Sequence, residues 1–109
     1  MKKTISIDLD EKFTDYKGDP IMTGERQTTL RDVICEALVN VVKPDDSAAH
    51  KLRAWEFATG LYKSRGIVEI SRDDADMLRE RISLGFGPQI IGRALPMLEG
   101  IHVVEDQAA

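Results

Sequence analysis

The apolar residues Leu30, Val33, Ile34, Ala37, Leu38, Val41 and Val42 recur at spacings of three and four. At 3.6 residues per turn this spacing places them on one stripe, so the segment reads as an amphipathic helix with a face to bury. Thr28 or Thr29 can cap its start, and with Thr29 as the cap Asp32 falls at the third helical position, where a carboxylate can bond back to the backbone and meet the positive end of the helix dipole. Pro44 disfavours helical geometry just before it, which predicts a helix over residues 29–43.

Three further helices are predicted. Asp45, Asp46 and Ser47 offer capping oxygens for a helix over 47–65, whose apolar face reads as Ala48, Leu52, Trp55, Ala58, Thr59, Leu61 and Tyr62. Lys63, Ser64, Arg65 and Gly66 suit its end. Gly60 costs about 1 kcal/mol relative to Ala inside a helix, which suggests a close packing contact or an early fray. Ser71 and Asp74 repeat the capping pattern before a helix over 72–84, with Ala75, Leu78 and Ile82 inward and Arg72, Asp73, Asp76, Arg79, Glu80 and Arg81 outward. Gly85-Phe86-Gly87-Pro88 breaks the chain, and Pro88 opens a helix over 88–99 bearing Ile91, Ala94, Leu95 and Leu98. Pro96 lacks the amide that would bond to the carbonyl of Gly92, so a kink or an early end is expected there.

Strand signals are shorter. Ile5, Ile7 and Leu9 alternate with Ser6 and Asp8, the period of a strand with one buried face. The turn formers from Asp15 to Pro20 precede Ile21 and Met22, and residues 4–23 read as a small β-hairpin or extended arm. Ile67-Val68-Glu69-Ile70 is expected to pair with the N-terminal strand or to plug the core as an extended linker. Ile101 to Val104 read as an edge strand and residues 105–109 as a frayed tail. The expectation is an α+β, mainly helical fold with about four helices, a small N-terminal β-hairpin and short edge strands, in a single domain spanning 1–109.

Composition narrows the function classes. The chain has 109 residues, 42% hydrophobic and 31% charged, enough apolar surface to build one core. Its net charge of -4 disfavours nonspecific binding to nucleic acid or to anionic membranes. With Cys35 alone there is no internal disulfide, and no apolar run is long enough for a signal peptide or a membrane span, which fits a cytoplasmic protein of a bacterial host cell.

No catalytic, cofactor or metal motif stands out. His50 and His102 are far apart and form no helical metal-binding pair. Cys35 lies beside the first apolar stripe and reads as a small core residue. Asp45-Asp46 and Asp73-Asp74 lie at helix starts, where anions relieve unpaired amides, so capping is favoured over acid–base work. Gly85 and Gly87 lack the rest of a phosphate-loop pattern. Lys51, Arg53, Lys63 and Arg65 read as a solvated helix face.

Trp55, Phe57, Tyr62 and Phe86 are the residues best suited to anchor a partner. Residues 55 and 57 stand about 200° apart on a helix, so one of them is expected to face away from a small core, toward a subunit or partner. The alternative is a DNA-binding regulator using residues 71–99 as a helix-turn-helix, with Gln89 and Arg93 facing a groove. Its second helix is mainly Ile, Ala, Leu and Met, poor in side chains that reach bases or phosphates.

The elements from Asp15 through Gly18, Pro20 and Ile21, then Thr29-Leu30-Arg31-Asp32-Val33 with Ala37-Leu38, Lys51-Leu52-Arg53, Val68-Glu69-Ile70-Ser71, and Pro88 with Gly92 and Leu98-Glu99, resemble those of small proteins encoded by tailed phages and prophages. That resemblance implies virion assembly, scaffolding or host modulation through protein contacts, as a homo-oligomer or with a phage or host protein. It implies no enzyme activity.

Overall fold

The computed structural model describes residues 4–100, so the edge strand and tail expected beyond Gly100 lie outside the described residues. In chain order the elements are β1 (Thr4–Asp8), β2 (Met22–Thr23), β3 (Arg26–Gln27), α1 (Leu30–Asn40), α2 (Ala48–Lys63), β4 (Ile67–Ser71), α3 (Arg72–Gly85) and α4 (Pro88–Met97). The fold is α+β and mainly helical, with two small antiparallel sheets.

The centre is α1. Its residues Leu30, Val33, Ile34, Ala37 and Leu38 are all buried, and the helix contacts α2, α3 and α4. Its leading amides, which have no partner inside a helix, find carbonyls in the preceding loop: Leu30 donates to Glu11 at 2.9 Å and Arg31 to Leu9 at 3.0 Å. Asp32 reaches back as expected and accepts from the Thr29 backbone amide at 2.9 Å.

The N-terminal strand is β1, but its partner is β4, with Ile5 opposite Ile70 and Ile7 opposite Val68. The hairpin expected over 4–23 is therefore drawn differently. Met22 and Thr23 turn back on Arg26 and Gln27 through Gly24, at φ 64°, and the Asp15–Asp19 turn sits outside any strand. The physical reason is that an apolar strand face pairs best with another apolar face, and β4 supplies one where exposed Met22 and Thr23 do not. Phe13, in the irregular stretch between, is fully buried and is the largest side chain of the core that the periodicity did not single out.

Two other expectations change. Arg81 was expected to face solvent, yet its side chain and that of Asp46 are each only 4% exposed. The Arg81 guanidinium donates to the Val41 carbonyl at 2.7 Å and to Asp46 at 3.0 Å. Asp46 also accepts from the Lys43 amide at 3.0 Å, so it closes the α1–α2 loop, while Ser47 caps α2 by accepting from the His50 amide. With the Val41 carbonyl taken by Arg81 and Pro44 following, α1 ends at Asn40, earlier than residue 43. Secondly, Gly60 marks neither a close contact nor a fray: a Cβ there would meet nothing within 4 Å and α2 runs through it.

The Lys43 amide and the Arg81 guanidinium hold the Asp46 carboxyl below the ordinary aspartate range. The Arg31 side chain and the Gly66 amide do the same for Asp10. Burial pushes Asp32 up, but its bonds from Arg26 and Thr29 outweigh this and leave it lowered. Each lowered carboxyl contributes stability that is complete above the ordinary aspartate pKa of about 3.9 and is lost as pH falls through the folded value. Thermal melts should therefore be flat down to about pH 4.5 and fall below it, with a shallower fall in Asp46→Asn; an equal slope in the variant counts against the Asp46 contribution. Arg81→Met should lower stability by about 3 kcal/mol, measured by urea unfolding, because Asp46 then stays enclosed without its cation.

At the end of α3, a Cβ on Gly85 would overlap Val41 Cγ2. The β-branched Val41 has little rotamer freedom to move aside. Gly85→Ala is expected to lose about 1–2 kcal/mol, and adding Val41→Ala should recover most of it; a loss unaffected by the second change would place the strain elsewhere.

Candidate functional site

The face that α2 turns to the core is one edge of the broad apolar face its periodicity suggested, with Ala58 and Leu61 buried as expected and Ala54 added. Ala54, Ala58 and Leu61 are buried and Phe57 packs partly against the core. The two alanines let α2 sit close to α1, near enough for the Cys35 thiol to lie 3.6 Å from the Ala58 carbonyl. Burial pushes the Cys35 pKa up, the direction of a packed thiol and not of a nucleophile.

Roughly 110° round the helix from that face stand Leu52, Trp55 and Tyr62, which are 58%, 56% and 63% exposed. With Ala48 and half-buried Thr59 they repeat at spacings of four and three, the seam of a helix that pairs with another helix. Exposed Val39 and Val42, at and beyond the end of α1, extend this surface. Between them and α2 lies a groove of about 230 Å³, walled by Leu38, Val41, Val42, Ala54 and Trp55, with Lys51 also on its lining and Arg81 and Asp46 contributing to it. At the other end, Tyr62 shares a notch with Arg26, Arg31 and Arg65.

Of the residues expected to anchor a partner, Trp55 and Tyr62 stand outward, whereas Phe57 and Phe86 pack partly against the core. Leu52, Val39 and Val42 were missed as surface residues. Leu52 and Val42 had been assigned to core stripes because apolar residues at helical spacing signal a buried face, and nothing local says that a helix has two such faces.

A second cleft, of about 400 Å³, lies between the α1–α2 loop, the start of α2 and α3. It brings His50, Asp73 and Asp74 to one place, which their spacing in sequence did not suggest. Most of its charges are matched: Asp74 with Arg53 at 3.0 Å, Glu80 with Lys43 at 2.9 Å, Asp76 with Arg79 at 2.6 Å, and Asp46 with Arg81. Ser71, not an aspartate, caps α3 by accepting from the Asp74 amide. The carboxyls whose pKa moves, Asp10, Asp32 and Asp46, all move down, the direction of ion pairing and away from a protonated general acid. Among the described residues no group of three or more His, Cys, Asp and Glu could hold a metal ion, and His102 lies outside them.

Gln89 and Arg93, the alternative DNA contacts, are exposed on α4. The Arg93 guanidinium donates to the carbonyls of Thr14 and Asp15, both at 3.2 Å, and so ties α4 to the N-terminal loop. Among the described residues no helix is long and apolar enough to cross a membrane. Compared with known proteins, the chain matches no family model, no curated protein and no solved structure.

The exposed face of α2 should contribute little to holding the fold. Leu52→Ser and Tyr62→Ser are expected to leave stability within about 0.5 kcal/mol, whereas Leu61→Ala should cost about 2–4 kcal/mol. Urea titration followed by circular dichroism separates these cases, and a large loss in Leu52→Ser would mean that this face is packed.

Proposed function

We propose that the chain is a non-enzymatic protein-binding module that docks through the Leu52–Trp55–Tyr62 face of α2, extended by Val39 and Val42. The observation that carries this is the second apolar face of α2: the first already packs on α1, and exposing Leu, Trp and Tyr in one row is disfavoured unless a partner covers them. Large aromatic side chains beside a groove also provide the anchors on which protein interfaces concentrate their binding energy. The resemblance to small tailed-phage proteins suggests the setting: virion assembly, scaffolding or host modulation in the bacterial cytoplasm.

The DNA-binding alternative has less support. Arg93 is engaged by backbone carbonyls of its own chain, and α4 offers Gln89 as its other exposed candidate.

The test compares the parent with a Leu52→Asp/Trp55→Asp variant, by affinity capture from bacterial cells and by light scattering after size exclusion. The parent is expected to retain a partner, or to self-associate, and the variant to lose that contact while keeping its helical circular dichroism. Identical captured proteins and identical masses for the two would overturn the proposal.

A further inference from the structure

We infer that the α2 face receives an acidic amphipathic helix from another protein, not a second copy of this chain; the inference rests on the docking role proposed above and names its partner. Charge carries the argument. The chain as a whole has a net charge of -4, yet Lys51 lies on the groove and Arg26, Arg31 and Arg65 surround Tyr62, with Lys63 beside it. Arg26 and Arg31 have their own carboxylates, Asp32 and Asp10. Among the described residues, Lys51, Lys63 and Arg65 have no ion-pair partner; Arg65 donates to the carbonyls of Tyr62 and Ser64 at 3.1 and 3.0 Å, which fixes its place but leaves its charge unneutralised, and Glu56 is the one carboxylate that α2 contains.

A two-fold dimer sets a surface patch against its own copy. Here that would bring Lys51, Lys63 and Arg65 of one molecule toward the same cations of the other, offset only in part by Glu56 on α2 and by exposed Glu36 one turn before Val39 on α1, and like charges across an interface are disfavoured. A helix with carboxylates flanking its apolar seam meets the same surface with complementary charge.

Shape agrees with a helical occupant. Leu52 and Tyr62 stand roughly 15 Å apart along the α2 axis, which suits a partner helix of about three turns with anchors at positions i, i+3 or i+4, and i+7. The groove of about 230 Å³ is smaller than the roughly 300–1,000 Å³ of small-molecule pockets and fits an inserted side chain. The carboxylates flanking that seam would meet Lys51 at one end and Lys63 and Arg65 at the other.

The test uses synthetic helical peptides of the same 16-residue length as α2, with leucine on the seam and either glutamate or lysine on both flanks. Trp55 is the single tryptophan of the chain and sits on the face in question, so its emission reports binding directly. The glutamate-flanked peptide is expected to shift Trp55 emission saturably, to bind at least about tenfold more tightly than the lysine-flanked one, and to weaken as salt rises. Lys51→Glu/Arg65→Glu should reverse the preference. Equal binding of the two peptides, no saturable binding of the acidic one, or a preference for phosphatidylglycerol–phosphatidylcholine vesicles would overturn the inference. Self-association of the parent that Leu52→Asp abolishes, without binding of the acidic peptide, would overturn the partner class and leave the docking face standing. Acidic-peptide binding that survives Leu52→Asp would overturn both.

Discussion

The burial of one helix by three others governs this structure. The stripe of α1 from Leu30 to Leu38 is covered by α2, α3 and α4, and almost every other element is placed by what it must do for that helix. The segment before it returns the carbonyls of Leu9 and Glu11 to its free amides. The β1–β4 pair brings α3, which follows β4 directly, against both sheet and helix. Because α1 draws on a helix for each side of its stripe, α2 gives it a narrow face of small residues, Ala54 and Ala58 with Leu61, and keeps its larger side chains outside.

The Arg81–Asp46 pair then fixes how the helices end. Arg81 holds both the last carbonyl region of α1, through Val41, and the loop residue that precedes α2. An enclosed ion pair contributes little net stability, since desolvation offsets much of the attraction, but breaking it is unfavourable because one charge is left alone. Its consequence is positional: α1, α2 and α3 meet at one point, and the groove beside Trp55 is formed at that junction with Arg81 and Asp46 as part of its lining. The groove is thus tied to the most deeply buried ion pair among the described residues.

Much of the fold was legible because its signals are local. The stripe of α1, the caps at Thr29 and Ser71 and the start of α4 at Pro88 all follow from spacing or backbone chemistry within a few residues. What was not legible depends on distant partners. Phe13 sits in a stretch without periodicity, and its place in the core goes with backbone bonds to Thr28 and from Ile21, well along the chain. Arg81 looks like a surface residue until Asp46, in the α1–α2 loop, reaches it. The hairpin over 4–23 gave way to a pairing across the chain, since β1 meets its match in a strand that follows two helices.

The α2 face shows the same limit and also what it means. Ala48, Leu52, Trp55, Ala58, Thr59, Leu61 and Tyr62 cover more of a helix circumference than one neighbour can bury, and the sequence pattern alone does not say which part faces inward. Packing decides it: the close approach to α1 selects the alanines, and the bulky residues are left in water. Leaving an apolar row in water is unfavourable to a free monomer, and the fold could have avoided it with polar residues at Leu52, Trp55 and Tyr62, where neither the core nor an enclosed contact requires apolar groups. The row makes physical sense when it is completed by another surface. The cations at its two ends, on a chain that is acidic as a whole, then restrict which surface that is.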